Sequence, residues 1–262
     1  QIKSGVQWGL FGAAVLHLGS RGDHERFLPG ILDLSVPGAF PMTEIGHGSD
    51  VASLGTAAPY DPATEEFVLE TPFPAATKRF LGNAAVDAKD AVVFAQLITP
   101  GMEGEAPVNR GVHAFYCHIR DDQGNPLPGV TIDDDGQKGG LNGVDNGQFT
   151  FAGIRIPRTY LLNRYGDVAP DGTYTSSIES PGRRFFTMIG TLVQGRVSLT
   201  GAAVAASKLG LIGAITYGNQ RRQFNASSTT EEEVLMDYQL HQRRLIPRLA
   251  TTLAASFAHE KL

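Results

Sequence analysis

The order of hydrophobic periods along the chain constrains its fold more than any other feature of the sequence. Residues 1–39 follow helical spacing, residues 40–170 contain short apolar runs separated by turn signals, and residues 171–262 are helical again. Because the central runs follow one another without intervening helices, they favour an antiparallel sheet. The sequence therefore predicts an α+β multi-domain protein with a helical N-terminal segment, a middle antiparallel β-barrel or sandwich and a helical C-terminal segment, with these domain boundaries.

Two central runs give the clearest strand signals. Residues 91–98 form a run that is apolar apart from Gln96 and has the length of a buried strand. Residues 111–119 alternate instead, so the sequence predicts two opposite faces: Val112, Ala114 and Tyr116 on one, and Phe115, Cys117 and Ile119 on the other. Near the C-terminus, Thr230-Glu231-Glu232-Glu233 has the pattern of a capping box and predicts the start of a helix.

Composition excludes several classes of function. The chain has 22 basic and 27 acidic side chains and a net charge of −5, which argues against a nucleic-acid partner. Cys117 is the single cysteine, so an intramolecular disulfide framework and a cysteine-built zinc site are excluded. The most apolar stretch, residues 197–217, contains Ser198, Ser207, Lys208 and many small residues, which predicts a closely packed helix and no membrane span.

Three polar clusters are candidates for chemistry, and each also has a purely structural interpretation. Residues 42–50 join the first helices to the first predicted strand and could bind a ligand or form a tight turn. Residues 78–83 could form an aromatic wall beside a backbone donor, or the end of a strand. Residues 217–224 contain an arginine pair that could hold a diphosphate, or only complement a helix C-terminus.

Metal sites are not predicted. His47 has no second ligand at suitable spacing. Asp133-Asp134-Asp135-Gly136 has Val144 where a calcium loop needs a glutamate, so a solvated turn is the better interpretation.

The order and spacing of many short motifs resemble the acyl-CoA oxidase branch of the acyl-CoA dehydrogenase superfamily over nearly the whole chain. These motifs are Met42-Thr43-Glu44 with Gly46-His47-Gly48-Ser49-Asp50, Tyr60-Asp61-Pro62, Thr77-Lys78 leading to Gly82, Gly111-Val112-His113-Ala114-Phe115, Asp145-Asn146-Gly147, Arg155-Ile156-Pro157-Arg158, Asp171-Gly172-Thr173-Tyr174, Gly195-Arg196-Val197 and Asp237-Tyr238-Gln239.

The resemblance implies an N-terminal helical domain, a middle antiparallel β-barrel and a C-terminal helical bundle. It also implies that the protein binds FAD, usually across a homodimer interface. Thr43, with Met42 beside it, would contact the flavin ring, and Gly82 would contact it through its backbone next to Phe80. Dehydrogenases usually have Thr or Ser at the position of Gly82, so this glycine favours the oxidase branch. Arg221 would reach the FAD diphosphate of the neighbouring subunit with Phe224 as its companion, and Ser49 would line the acyl-CoA entrance.

Two departures from the family pattern stand out. The family usually has two tryptophans after the lysine, but Arg79 and Phe80 follow Lys78 here. The catalytic base of the family is a glutamate in a segment that follows a Gly-Gly-His-Gly-Tyr loop, and this chain contains no such loop. We therefore expect no catalytic residue here, a base beyond Leu262, and a chain that is the central part of an enzyme more than twice as long, truncated at both ends.

The resemblance implies an acyl-CoA oxidase of fatty acid β-oxidation, which converts fatty acyl-CoA to trans-2-enoyl-CoA and passes electrons to O2. Two alternatives remain open: a dehydrogenase that uses an electron-transfer flavoprotein, and a catalytically dead flavin-binding or scaffold subunit. For the compartment, we expect a bacterial cytoplasm, with the peroxisome as the alternative.

Overall fold

The computed structural model describes residues 2–102, 104–225 and 230–262. The chain divides into two compact units, residues 1–192 and residues 193–262. The first unit contains the N-terminal helices and the barrel. This division differs from the boundaries at residues 39 and 170, which remain a prediction.

The N-terminal segment is helical throughout most of its length, as predicted. It comprises α1 (Ile2–Ser4), a π-helix (Gly5–Gly12), α2 (Ala13–Leu18) and α3 (Arg21–Leu32). The buried Gln7 connects this segment to the barrel, since its Nε2 donates to the carbonyls of Ile31 (3.1 Å) and Val36 (2.9 Å) and its Oε1 accepts from the Gly38 N–H (2.8 Å).

One sheet of eight strands forms the barrel, which confirms the predicted architecture. Its strands are β1 (Gly38–Ala39), β2 (Ala57–Asp61), β3 (Glu66–Glu70), β4 (Lys78–Gly82), β5 (Asp90–Thr99), β6 (Val108–His118), β7 (Val130–Asp134) and β8 (Asn146–Pro157). The hydrogen-bonded order is β1-β5-β2-β3-β8-β4, with β6 also paired to β5 and β7 to β8. Most pairings are antiparallel, but β5 pairs with β1 and β2 in parallel.

The alternation of β6 separates two hydrophobic cores. Phe115, Cys117 and Ile119 belong to the core inside the barrel, and the opposite face of β6 belongs to a second core shared with the N-terminal helices. In this second core the ring of Phe27 stacks on Tyr116 at 3.7 Å between centroids. The predicted faces are therefore confirmed. Burial raises the pKa of the Cys117 thiol to about 12, which makes it unreactive.

The first unit ends with β9 (Asp167–Val168), β10 (Tyr174–Thr175) and α4 (Pro181–Ile189). Next come α5 (Leu192–Gln220), β11 (Arg222–Asn225), β12 (Glu232–Val234) and α6 (Gln239–His259). Small residues on α5 allow close packing: a Cβ at Gly201 would lie 2.5 Å from Nε2 of His259. The capping-box prediction is wrong, because Glu232 lies in a strand and the helix begins later.

Within the described part of the chain, one helical stretch, Pro181–Gln220, is long and apolar enough to cross a membrane on length and composition alone. This is weak evidence, since a core helix of a soluble protein meets the same criterion. The absence of a membrane span remains a prediction.

Candidate functional site

A fully buried ion pair anchors the segment that contains Met42 and Thr43. Lys78 Nζ lies 3.0 Å from Glu44 Oε1 and donates to the carbonyl of Met42 at 3.0 Å. The Glu44 carboxylate also accepts from the N–H groups of Gly55 (2.6 Å) and Thr56 (2.9 Å), and from the Thr56 hydroxyl (2.6 Å). These contacts compensate both charges and fix the backbone from Met42 to Glu44 against the first residue of β4.

The pKa values of this pair reflect its burial. Burial lowers the pKa of the Lys78 ammonium to about 8, and the Glu44 carboxylate partly opposes the shift. For Glu44, burial acts to raise the pKa, but the Lys78 charge and the hydrogen bonds from Thr56 and Gly55 outweigh it, so the pKa of this carboxyl is lowered. Glu44 is therefore held in its ionised form.

Thr43 is bound to the next residue of β4. Its hydroxyl donates to the Arg79 carbonyl at 2.9 Å, and the Arg79 N–H donates to the Thr43 carbonyl at 3.2 Å. This bond uses the only proton of the hydroxyl, so the oxygen cannot donate to a ligand. Its lone pairs remain free to accept a hydrogen bond from one.

A β-bulge in β4 presents the side chain of Phe80 to solvent. Lys78 pairs with Phe149 and Leu81 with Gly147, so β4 has one more residue than β8 between these pairs. Phe80 lies in this bulge with φ of +64° and is 68% exposed. Bulges re-aim side chains next to functional sites, and this one gives a projecting aromatic ring.

Gly82 ends the same strand, half-buried against the N-terminal π-helix. A Cβ at this position would lie 2.9 Å from Cγ2 of Val6 and 3.4 Å from Cγ1 of Val144. The structure therefore brings four predicted site residues together at one edge of the first unit: Met42, Thr43, Phe80 and Gly82.

The loop with His47 and Ser49 is a tight turn. The N–H groups of Glu44 and His47 each donate to the other residue's carbonyl at 3.1 Å, and the Gly46 N–H donates to Ala75 at 2.8 Å. Ser49 is exposed just beyond this turn. Across residues 2–102, 104–225 and 230–262, no three His, Cys, Asp or Glu side chains are grouped so that they could hold a metal ion.

Arg221 and Phe224 lie in the second unit, directly after α5. The Arg221 N–H donates to the Tyr217 carbonyl at 2.8 Å and its own carbonyl accepts from Leu235 at 2.8 Å, while its side chain is exposed. Phe224 has φ of +58° and is 70% exposed, and it lines a shallow groove of about 420 Å³ with Tyr238. Both side chains are thus available to a ligand or to another subunit.

Sequence reasoning missed the residues that support this site. The ion pair between Glu44 and Lys78 could not be predicted from the spacing of these residues along the chain. Asp135 lies in a motif that predicted only a solvated turn, yet its carboxylate accepts from the Arg79 guanidinium at 2.9 Å. One signal was present in the sequence: Arg79 stands where the family usually has a tryptophan. A charged residue at such a position could have indicated an acidic partner nearby.

Comparison with known proteins places these features in a family. Residues 189–262 match the acyl-CoA oxidase C-alpha1 domain. The chain is 46% identical over 261 residues to the peroxisomal acyl-coenzyme A oxidase 3 of Arabidopsis thaliana, covering all of this chain and 38% of that protein. It is 41% identical over 247 residues to the human peroxisomal acyl-coenzyme A oxidase 3, covering 94% of this chain and 34% of that protein.

Solved structures agree with the sequence matches. Arabidopsis thaliana acyl-CoA oxidase 1 superposes with a TM-score of 0.88 at 34% identity, covering 98% of this chain and 38% of that one. Acyl-CoA oxidase-2 of Caenorhabditis elegans, bound with FAD, ascaroside-CoA and ATP, superposes with a TM-score of 0.89 at 32% identity, covering 98% and 37%.

The helical segment, the barrel and the following helices are thus the fold of the solved acyl-CoA oxidases. The chain belongs to the acyl-CoA oxidase family. It spans 38% of the length of the Arabidopsis relative and 34% of the human one.

The expectation of a bacterial cytoplasm is wrong. The Arabidopsis and human relatives are named as peroxisomal proteins, which fits the alternative. The error has a physical reason, because compartment is set by short receptor-read signals that neither the fold nor the composition encodes.

Proposed function

We propose that the protein containing this chain is an FAD-dependent acyl-CoA oxidase of fatty acid β-oxidation. It removes an α-proton and a β-hydride from a fatty acyl-CoA, giving trans-2-enoyl-CoA, and the two electrons reduce O2 to H2O2. The observation that supports this proposal most strongly is the 46% identity to an acyl-coenzyme A oxidase over 261 residues.

The residues of the first unit fit a flavin ring. Phe80 offers an exposed aromatic face, the Thr43 hydroxyl keeps acceptor capacity, and Gly82 adds no side chain of its own beside its backbone. When bound, FAD supplies the acceptor for the β-hydride. The backbone beside Met42 is already fixed by Lys78, so little ordering entropy remains to be lost on binding.

The second unit supplies cationic contacts. An arginine guanidinium can donate two parallel hydrogen bonds to phosphate oxygens, so the exposed Arg221 suits the FAD diphosphate. In a homodimer, Arg221 and Phe224 would serve the site of the neighbouring subunit. Ser49 would line the entrance for acyl-CoA, and the base that takes the α-proton would be a glutamate outside this chain.

The test uses the full-length protein with a fatty acyl-CoA in air. We expect bound FAD, and equimolar formation of trans-2-enoyl-CoA and hydrogen peroxide. Enoyl-CoA that forms only when an artificial electron acceptor is added, without peroxide in air, would instead identify a dehydrogenase. Bound FAD without any turnover would identify the scaffold alternative, and a protein that binds no FAD would contradict the proposal.

A further inference from the structure

We infer that Asp135 is a positioning residue for Phe80 in the proposed flavin site, so this inference rests on the proposed function. Asp135 directly follows β7, and its backbone N–H donates to Asn146 at 2.9 Å. Its carboxylate points to the bulge of β4, where it accepts hydrogen bonds from Arg79 and Phe80. The side chain is only 9% exposed.

The bulge removes Phe80 from the regular hydrogen-bond ladder, and the side chains of Asp135, directly after β7, and Asn146, on β8, replace the lost partners. The Phe80 N–H donates to Asp135 Oδ2 at 3.3 Å, and its carbonyl accepts from Asn146 Nδ2 at 3.1 Å. Without these two partners, the N–H and the carbonyl of Phe80 could rotate and form hydrogen bonds with water instead.

The conformation of Phe80 needs such support. A φ of +64° is unfavourable for a bulky residue and persists only where the surroundings hold it. Asp135 and Asn146 hold the backbone on both sides of the Cα, so the ring projects from the bulge in one direction.

The second carboxylate oxygen of Asp135 orders Arg79. Arg79 Nε donates to Asp135 Oδ1 at 2.9 Å, and its guanidinium carbon lies 5.4 Å from the centroid of the Phe80 ring. Because the backbone of Arg79 is also bound to Thr43, one network connects Asp135 to two residues proposed to face the flavin.

The other aspartates of this run do not share the role. Asp133 is exposed, and Asp134 accepts from the Gly136 N–H at 2.8 Å within its own turn. Asp133→Ala is therefore a matched control: it removes the same charge two residues away from Asp135.

The experiment is a double-mutant cycle on the full-length protein, with FAD affinity as the readout. Asp135→Ala should raise the FAD Kd about 10-fold, because it removes two acceptors, one of them in an ion pair. Asp135→Asn keeps one acceptor and should recover part of this loss, and Asp133→Ala should bind FAD as the wild type does. In a Phe80→Ala background, Asp135→Ala should have a clearly smaller effect, which leaves only the contribution through Arg79 and Thr43.

A second readout needs no cofactor. Hydrogen exchange of the Phe80 amide in the FAD-free protein should be faster in Asp135→Ala and unchanged in Asp133→Ala. The comparison is made under conditions in which the variants have the same unfolding midpoint, so that the rate reports on the local hydrogen bond. Unchanged FAD affinity in Asp135→Ala, or effects of Asp135→Ala and Phe80→Ala that add independently, overturn the inference alone. A wild-type protein that binds no FAD overturns the proposed function and the inference together.

Discussion

Lys78 Nζ lies 3.0 Å from Glu44 Oε1, and neither side chain exposes any surface to solvent. Glu44 comes from the segment between β1 and β2 and Lys78 from β4, and their contact fixes both parts of the proposed flavin site. Breaking a buried pair by removal of one partner is costly, because the remaining charge loses its compensation. Lys78→Met should therefore destabilise the first unit by about 3–5 kcal/mol, measured by urea unfolding.

A double variant and a surface control make this prediction specific. Glu44→Gln combined with Lys78→Met should recover part of the lost stability, since no charge then remains buried. Lys89→Met breaks the pair of Lys89 with Asp122, which has side chains 40% and 96% exposed and lies at 3.6 Å. This control should change stability by less than about 0.5 kcal/mol. Equal losses in Lys78→Met and Lys89→Met would contradict the prediction.

The stability of the first unit should depend on pH through His118. Asp90 accepts from His118 Nδ1 at 2.7 Å, and this hydrogen bond raises the pKa of His118 above 6.5, while partial burial opposes the shift. A raised pKa in the folded state stabilises the fold fully below the unfolded pKa, and this contribution is lost as the pH rises through the folded pKa.

His118→Gln should therefore be more destabilising at about pH 5.5 than at about pH 9, as measured by urea unfolding at each pH. The side chain is 49% exposed, so after screening by solvent we expect a difference below about 1 kcal/mol. In an Asp90→Asn background, the difference between the two pH values should shrink. A larger effect at high pH would show that the sign is wrong.

Gly82 should resist substitution because of its neighbour in the π-helix. The Cβ of Gly82→Ala would lie 2.9 Å from Cγ2 of Val6, so the side chain of Val6 must move. We expect a loss of about 1–2 kcal/mol in the free energy of unfolding, which Val6→Ala should relieve in the double variant. Gly140→Ala is the control, since a Cβ there has no atom within 4 Å. A Gly82→Ala variant as stable as Gly140→Ala would refute this account.

The fold could be predicted from the sequence where the hydrophobic pattern of a segment matches the side chains that the structure buries. The alternation in β6 assigned Phe115 and Tyr116 to opposite faces, and each face does meet a different core. The capping-box prediction failed because a non-local pairing outweighs the local signal: Glu232 pairs with Asn225 in a two-stranded sheet, and the helix begins only at Gln239.

The site was predicted less completely than the fold. Family motifs indicated Thr43 and Phe80, but not what holds them in place. Lysine and glutamate are mostly exposed in folded proteins, and they are almost never buried unless they are paired. Nothing in the sequence around Glu44 or Lys78 therefore indicated that the two side chains form a buried contact. The role of Asp135 depends on a bulge in β4, and a single extra residue in a strand cannot be read from the hydrophobic pattern.

The last prediction concerns the proposed dimer. Arg221→Gln removes an exposed guanidinium and should raise the FAD Kd of the full-length protein about 10-fold, through loss of charge-assisted hydrogen bonds to the diphosphate. Arg243→Gln changes an exposed arginine of α6 and serves as the control.

Subunit complementation distinguishes a contact across the interface from one within a subunit. If Arg221 serves the neighbouring site, a mixed dimer of Arg221→Gln and Phe80→Ala subunits contains one site with both native residues. Co-expression of the two variants should therefore restore tight FAD binding to a fraction of the sites, which flavin titration can measure. If Arg221 instead acts within its own subunit, every site in the mixed dimer carries one defect, and no tight fraction should appear.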